Sequence, residues 1–216
     1  MRIVSTKKLQ LNQKQFLLNA GFSVVDADFI ETKSVEFSLD NIKDNLIFTS
    51  MNAVKSVANH PDVQEIRRKP CFCTGEKTAA LLDEVGFTVI EITDEAAKLG
   101  TVIQEKYIEE TFTFFCGNLR LETLPAWLDE WNVDYNEVIV YETTLTPVMA
   151  AEPNGILFFS PSGVESYLSK NAIADEACFC IGETTAKALH GKSENIIIAN
   201  KPSVENVIIQ CINHYK

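Results

Sequence analysis

The sequence predicts an α/β protein of two similar lobes, each a parallel sheet flanked by helices, joined by a two-strand linker. Three observations lead to this fold class. One motif of strand, glycine turn and helix start occurs twice. Short apolar segments alternate with helical patterns along most of the chain, which is typical of parallel sheets. Residues 1–33 supply only two strands, too few for a sheet of their own.

The repeated motif combines a short apolar strand with a glycine and a helix start. It reads CFCTGEKTAALL at residues 71–82 and CFCIGETTAKAL at residues 178–189, with eight of the twelve aligned positions identical. Gly75 and Gly182 allow a tight turn, and the glutamate after each suits the positive end of a helix dipole. A second motif, of strand, serine turn and amphipathic helix, precedes both copies. Two motifs repeated in order indicate two lobes of ordinary domain size.

The spacing of apolar residues predicts the individual elements. Short β-branched, cysteine-containing or aromatic runs predict strands at residues 2–5, 22–25, 46–49, 71–73, 87–90, 112–115, 138–144, 156–159, 178–181 and 195–198. Amphipathic segments predict helices at residues 11–20, 52–58, 77–85, 94–108, 121–131, 162–168, 185–189 and 203–214.

The order of these elements predicts a discontinuous first lobe. Residues 1–33 supply too few strands for a sheet of their own. The most economical arrangement therefore pairs them with residues 145–216 in lobe one. Residues 40–138 then form an inserted second lobe. Residues 34–39 and 139–144 are interpreted as the two crossing strands between the lobes.

The composition is that of a globular protein with an excess of acidic residues. The chain has 216 residues, 46% of them hydrophobic, and a formal net charge of −11. That charge disfavours a nucleic-acid partner, and the sequence contains no basic stripe. No apolar run reaches about 18 residues, and the N-terminal apolar run is too short for a signal peptide. We therefore expect a cytoplasmic protein without a membrane partner.

Six cysteines and three histidines are candidates for metal ligation, but their spacing does not suit it. Cys71 and Cys73, like Cys178 and Cys180, lie two residues apart in an apolar strand, where both side chains share one face. This spacing differs from the usual zinc motif. No histidine has a partner at ligand spacing, so we expect buried free thiols and no metal site.

Motifs for common cofactors and nucleophiles are incomplete or missing. Gly75 to Thr78 resembles the end of a P-loop, but Pro70 stands where its first glycine belongs. The sequence contains no GxGxxG and no GxSxG motif. The polar helix starts offer free N–H groups, which attract anions. The residues alone therefore predict a two-lobed protein that binds an anionic small molecule.

Six motifs in order resemble those of the uroporphyrinogen-III synthase family over nearly the whole chain. They are LIFTSMNAV at 46–54, TG and TA within 74–79, Gly117 with Arg120 and Leu124, VYET at 140–143, FSPSGV at 159–164, and IGETTA at 181–186. Two positions depart from the family pattern. Lys7 and Cys116 stand where the family usually has arginine.

The resemblance implies a cyclising lyase of tetrapyrrole and haem biosynthesis. Its substrate would be hydroxymethylbilane, a linear polycarboxylate that loses its terminal hydroxyl, forms a spiro intermediate and closes to uroporphyrinogen III with the last ring inverted. No metal or organic cofactor is implied, and the active site is expected in the cleft between the lobes. We also expect a monomer.

Candidate site residues are carried over from the matching motifs. Tyr141, which the family pattern places toward the cleft, is the candidate acid for departure of the hydroxyl. The candidate substrate-binding residues are Lys7, Ser50, Asn52, Gly75, Thr78, Arg120, Ser160, Ser162, Gly182, Thr184 and Thr185. Structural alternatives stay open for three of these residues: Tyr141 as a packing aromatic, Thr185 as a helix cap and Arg120 in a surface ion pair.

Two other functions stay open at this point. A non-catalytic bilobed anion-binding or sensor protein would use the same sheets and helix starts, and analysis of products from hydroxymethylbilane distinguishes it from an enzyme. A flavodoxin-like redox domain would carry flavin, which a visible absorption spectrum detects.

Overall fold

The protein folds as two compact units. A computed structural model describes residues 1–216. Unit 1 comprises Met1–Glu31 together with Thr144–Lys216, and unit 2 comprises Thr32–Thr143. Unit 2 is therefore inserted into the chain of unit 1.

Strands and helices alternate along most of the chain. The strands are β1 (Arg2–Ser5), β2 (Ser23–Asp26), β3 (Ile30–Ser34), β4 (Asn45–Phe48), β5 (Pro70–Thr74), β6 (Thr88–Thr93), β7 (Thr111–Gly117), β8 (Asp134–Leu145), β9 (Gly155–Phe158), β10 (Ala177–Cys180) and β11 (Ile196–Ile198). The helices are α1 (Leu11–Asn19), α2 (Met51–Ala58), α3 (Glu76–Glu84), α4 (Ala96–Lys106), α5 (Thr123–Glu130), α6 (Pro161–Leu168), α7 (Glu183–Lys187) and α8 (Val204–Tyr215). A 3-10 turn covers Val63–Glu65. None of the helices has the length and apolar character needed to cross a membrane.

Each unit contains one sheet built mainly from parallel strands. In unit 1 the strand order is β11-β10-β9-β1-β2, and every neighbouring pair is parallel. In unit 2 the order is β3-β8-β7-β4-β5-β6, and the pairs from β8 to β6 are parallel. Parallel neighbours need crossover connections, which the helices supply. The predicted α/β class with parallel sheets is confirmed.

Alternate strand residues of unit 1 enter two separate hydrophobic cores. Ile3, Leu157 and Phe179 pack with residues of α1 and α8 on one face of the sheet. Val4 and Phe158 pack with residues of α6 and α7 on the other face. All five side chains are buried. Because helices cover both faces, the central strands read as continuous apolar runs rather than as alternating ones.

Unit 2 repeats this division of its strand residues. Cys71 and Cys73 pack against α2 and α3, whereas Phe72 lies on the opposite face with α4 and α5. In unit 1, Cys178 and Cys180 likewise share the core that excludes Phe179. The expectation that each Cys-x-Cys pair occupies one face of a strand is confirmed.

The two strands that cross between the units are β3 and β8, since the unit boundaries at Glu31/Thr32 and Thr143/Thr144 lie within them. Both strands also belong to the sheet of unit 2, and their bounds differ from the predicted ones. β3 ends at Ser34, so residues 35–39 are not a strand, and β8 begins well before residue 139. β3 and β8 are neighbours at one edge of this sheet, and the Val35 N–H donates to the Val140 carbonyl at 3.2 Å. β3 is the edge strand, and its charged side chains weaken the alternation of apolar residues. The sequence pattern therefore misplaced the bounds of β3.

The six cysteines are free and buried, as the sequence predicted. Burial raises the pKa of the thiols, to about 11 for Cys73 and to about 12 for Cys71, Cys116, Cys180 and Cys211. The thiols are therefore protonated in the folded protein at neutral pH.

We expect the free energy of unfolding to fall as the pH rises above 9.0, the ordinary pKa of these thiols. Above that pH the unfolded chain releases thiol protons that the folded chain still holds, so alkaline conditions favour unfolding. The stabilisation is complete below the unfolded pKa and decreases by up to about 1.4 kcal/mol per thiol for each pH unit. Urea unfolding in a reducing buffer at about pH 8 and about pH 10 measures the difference.

Cys211→Ala provides the control for this prediction, because it removes one buried thiol from the core beside α8. The cavity lowers stability at every pH, but the decrease between the two pH values should be smaller by the share of one thiol. The role assigned to the thiols would be contradicted if the free energy of unfolding fell equally with pH in the two proteins. It would also be contradicted if that free energy did not change with pH in the wild type.

Candidate active site

The strand order of unit 1 changes direction between β1 and β9. From β1 the next strand, β2, lies on one side, and from β9 the strands β10 and β11 follow on the other. In open parallel sheets, ligands bind outside the carboxyl ends of the strands at such a switch point. Lys7 follows β1 and Ser160 follows β9, so both lie at this edge.

A second switch point lies between β4 and β7 in unit 2. β5 and β6 extend the sheet on one side of β4, and β8 lies beyond β7 on the other. Ser50 follows β4, and Gly117 ends β7. Each unit therefore has a carboxyl edge where polar turns gather, and each edge is a candidate for ligand binding.

The candidate substrate-binding residues all follow the carboxyl ends of strands. In unit 1 they are Lys7 after β1, Ser160 and Ser162 after β9, and Gly182, Thr184 and Thr185 after β10. In unit 2 they are Ser50 and Asn52 after β4, Gly75 and Thr78 after β5, and Arg120 after β7. Contact with a substrate stays a prediction for each of them.

Two of the candidate hydroxyls cap helices. Ser50 Oγ accepts a hydrogen bond from the Asn52 N–H at 3.1 Å, and Ser160 Oγ accepts one from the Gly163 N–H at 3.0 Å. Such N-caps stabilise a helix by about 1 kcal/mol. Ser162 Oγ lies 3.1 Å from Ser160 Oγ. These hydroxyls thus fix the two helix starts, whatever else they bind.

The first two backbone N–H groups of each repeated helix have no hydrogen-bond partner. They are the N–H groups of Glu76 and Lys77 in α3 and of Glu183 and Thr184 in α7. The third N–H group in each helix donates to the carbonyl of the preceding glycine. Free N–H groups at the positive end of a helix attract anions, so the two copies present equivalent donors.

The two glycines of the repeated motif differ in conformation. Gly75 has φ +82°, in the left-handed region that favours glycine. Gly182 has φ −176°, which is extended backbone, and an added Cβ there would meet no atom within 4 Å. The sequence assigned a tight turn to both glycines, but the backbone favours glycine only at Gly75, and at Gly182 it is compatible with any side chain.

The threonines at the third position of the two helices are buried. Thr78 is 5% exposed and Thr185 is 2% exposed. A ligand at either edge would reach the backbone N–H groups before these hydroxyls. Burial favours a packing role for the two side chains, which differs from the helix-cap alternative that the sequence left open for Thr185.

Arg120 is held by two carboxylates. Its Nη1 lies 2.6 Å from Glu122 Oε1, and its Nε lies 2.8 Å from Glu137 Oε1. The second contact is an ion pair without hydrogen-bond alignment, since Glu137 Oε1 is buried and has no hydrogen-bond partner. The two carboxylates raise the pKa of the guanidinium above its ordinary value. The ion-pair alternative for Arg120 is the arrangement observed.

Tyr141 is packed into the space above a glycine. A Cβ added at Gly117 would overlap the Tyr141 ring and would lie 2.9 Å from its hydroxyl oxygen. The half-buried ring also packs against the core of unit 2. Burial raises the pKa of the phenol, and the neighbouring Ser50 hydroxyl opposes that shift. The phenol is therefore protonated near neutral pH and lies beside the turn after β4.

Two residues at these edges were not predicted from the sequence. Thr6 Oγ1 donates to the Leu157 carbonyl at 2.9 Å and joins β1 to β9 at the first edge. Asn118 accepts the Thr143 N–H at 2.8 Å and donates to the Thr143 carbonyl at 3.3 Å, which ties the turn after β7 to β8. A Gly-Asn pair signals a turn, but its distant partner leaves no local signal.

No group of three or more histidine, cysteine, aspartate or glutamate side chains is arranged to hold a metal ion.

The fold and the polar strand ends define an α/β protein of two parallel-sheet units with anion-accepting helix starts. The family model described as uroporphyrinogen-III synthase HemD matches residues 13–209. The chain therefore belongs to the uroporphyrinogen-III synthase family of cyclising enzymes, and the resemblance seen in the six motifs is confirmed.

Two solved structures have similar folds. Uroporphyrinogen-III synthetase from Helicobacter pylori has a TM-score of 0.72 and 23% sequence identity, covering 99% of this chain and 100% of that chain. A mutant uroporphyrinogen III synthase from the extremely thermophilic bacterium Thermus thermophilus has a TM-score of 0.74 and 14% identity, covering 100% of each chain. At these identities the likeness establishes the fold, and membership of the family rests on the family model.

We expect Gly117→Ala to destabilise the protein by about 1–3 kcal/mol, because the new methyl group overlaps the Tyr141 ring. Gly182→Ala is the matched control: its backbone is extended and its surroundings are open, so the change should stay within about 0.5 kcal/mol. Urea unfolding of both variants measures the difference. Equal stabilities would show that Gly117 is not required to seat the ring.

Proposed function

We propose that this chain is a uroporphyrinogen-III synthase that converts hydroxymethylbilane into uroporphyrinogen III. The terminal hydroxyl leaves as water, the last pyrrole ring is inverted through a spiro intermediate, and the macrocycle closes. The observation that carries this proposal is the family match over residues 13–209. Nothing in the comparisons favours a non-catalytic anion-binding or sensor protein.

The proposed substrate is a polycarboxylate, and the free N–H groups at the starts of α3 and α7 suit its carboxylates. The net charge of −11 repels such a ligand at long range, so binding depends on these local donors. We propose the same role for the polar groups near them: Lys7, Ser50, Asn52, Gly75, Ser160, Ser162, Gly182 and Thr184. Thr78 and Thr185 then act through the helix starts that they pack.

Arg120 is proposed to bind a carboxylate by exchanging partners. Glu122 is exposed, whereas Glu137 is partly buried against the arginine. A substrate carboxylate can replace the exposed Glu122 at Nη1 while Glu137 keeps the guanidinium in place. Surface ion pairs contribute only about 0–1 kcal/mol, so this exchange costs little.

Tyr141 is proposed as the acid that assists departure of the hydroxyl. Its raised pKa keeps the phenol protonated, as a proton donor must be. The C–O bond breaks with its electron pair on oxygen, and the phenol proton converts that oxygen to water. Positioned proton transfer contributes about 10²–10⁴-fold to a rate. Holding the two reacting ends of the linear substrate together lowers the barrier by roughly 7–11 kcal/mol more.

We further propose that the protein acts as a cytoplasmic monomer without nucleic-acid or membrane partners. The acidic charge supports the absence of a nucleic-acid partner.

Incubation with hydroxymethylbilane should yield mainly the type III isomer, because the enzyme controls which carbon of the last ring is attacked. Chromatography of the oxidised products separates the type III and type I isomers. Accumulation of type I alone, at the rate without protein, would refute the proposed activity.

Tyr141→Phe should lower kcat about 10²-fold, because it removes the proton donor and leaves the ring in place above Gly117. Tyr135→Phe is the matched control: it removes a hydroxyl from the same strand, β8, where that hydroxyl donates to Asp129 at 3.0 Å. The control should retain wild-type turnover. If both variants are fully active at equal folded fraction, Tyr141 is a packing residue and not the acid.

A further inference from the structure

Unit 2 has an open depression at the amino edge of its sheet, opposite the carboxyl edge described above. Its volume is about 800 Å³, and it is lined by Gln64, Glu65, Arg67, Arg68, Gly86 and Thr88. The arginines lie just before β5, and Thr88 begins β6. The depression is therefore separated by the length of these strands from Gly75 and the free N–H groups of α3.

Arg67 and Arg68 are the two arginines of the chain without partners. Arg120 is held by two glutamates, and Arg2 Nη1 donates to the Ala151 carbonyl at 2.7 Å. Neither guanidinium in the depression makes a hydrogen bond or an ion pair, and Arg67 Nε is buried without an acceptor. Its side chain lies along Gly86, where an added Cβ would be 3.5 Å from Arg67 Nη1. A buried donor without an acceptor is unfavourable and calls for an explanation.

The internal repeat supplies a comparison for this depression. Unit 1 has a similar depression of about 700 Å³ at the amino edge of its own sheet, lined by Ala174, Asp175, Gly191, Lys192, Ser193, Glu194 and Asn195. Alignment of Cys71 with Cys178 superimposes Arg67 and Arg68 on Ala174 and Asp175. The repeated fold thus creates the depression twice, and only the copy in unit 2 carries paired arginines.

The charges of the two depressions have opposite signs. In unit 2, two arginines face one glutamate, Glu65, whereas in unit 1 a single lysine faces Asp175 and Glu194. Because the whole chain is acidic, at −11, two adjacent arginines without carboxylate partners are out of keeping with its surface. The shared fold accounts for a depression in both units, but it does not account for the paired arginines, which only the depression of unit 2 carries.

We propose that the depression of unit 2 binds a phosphate-bearing small molecule through the guanidinium groups of Arg67 and Arg68. Guanidinium groups offer paired N–H donors that match phosphate oxygens. A phosphate carries about two negative charges at neutral pH, which matches two arginines better than a single carboxylate does. Thr88 and Gln64, which carry a hydroxyl and an amide, also line the depression. The volume exceeds that of a bare ion and lies within the range of small-molecule sites.

Amide chemical shifts test this proposal on the full-length protein. Inorganic phosphate and pyrophosphate, titrated at constant ionic strength, should shift the amides of residues 64–68 and 86–88 in a saturable way. Succinate, which bears two carboxylates, should bind more weakly. Arg67→Gln/Arg68→Gln should weaken phosphate binding roughly tenfold or more, because charge-assisted hydrogen bonds are lost.

Lys192→Gln is the matched control, since it removes a positive charge from the equivalent depression of unit 1. It should leave phosphate binding unchanged. Should the double variant fold poorly, Arg68→Gln alone still tests the proposal, because Arg68 is exposed.

Three outcomes would overturn the proposal. One is a set of shifts confined to residues 75–78 and 182–185, which would place the anion at the helix starts. The second is undiminished binding by the double variant. The third is binding of succinate as tight as that of phosphate. None of these outcomes bears on the conversion of hydroxymethylbilane, so failure here and failure of the proposed activity are distinguishable.

Discussion

The division of strand residues between two cores is the constraint on which both units depend. In β5 and β10 the central phenylalanine enters one core while the flanking cysteines enter the other. A strand can satisfy both cores only if helices cover both faces of its sheet, and parallel order with helical crossovers provides that cover. Once the central strands are fixed in this way, their carboxyl ends lie at a common edge. The polar turns follow at that edge because the strands can go no further without exposing apolar side chains.

The carboxyl edge of unit 2 shows how packing prepares functional groups. Gly117 has no side chain, and the ring of Tyr141 occupies the space that a side chain would fill. Asn118 then ties the turn to β8 through Thr143, which holds the tyrosine strand beside the turn after β7. Burial keeps the phenol protonated. A glycine, an amide and a tyrosine from two neighbouring strands thus form one structural unit, although none of them signals that role alone.

The two copies of the repeat share the same order of strands and helices, and they differ in the side chains at the amino edge of the sheet. In both copies the helix that follows the Cys-x-Cys strand, α3 after β5 and α7 after β10, begins with two free N–H groups. At the opposite edge the copies diverge, with paired arginines in unit 2 and an alanine and an aspartate in unit 1. Side chains that point away from the core are free to change without loss of the fold, because the closely packed buried side chains of the strands stabilise it. Internal repetition therefore makes the differences between the copies informative about function.

The sequence by itself determined the α/β class, the parallel sheets, nearly every element and the family, because apolar periodicity and local turn residues act over a few positions. It also placed the candidate binding residues at strand ends and predicted buried cysteines. The tertiary structure alone decided the rest. The edge pairing of β3 with β8 depends on hydrogen bonds between distant segments, and so does the contact of Asn118 with Thr143. The space above Gly117, the burial of Thr78 and Thr185, the extended backbone of Gly182 and the two partners of Arg120 depend on how separate strands pack. Local sequence patterns carry no record of such contacts, since the partners lie far apart along the chain.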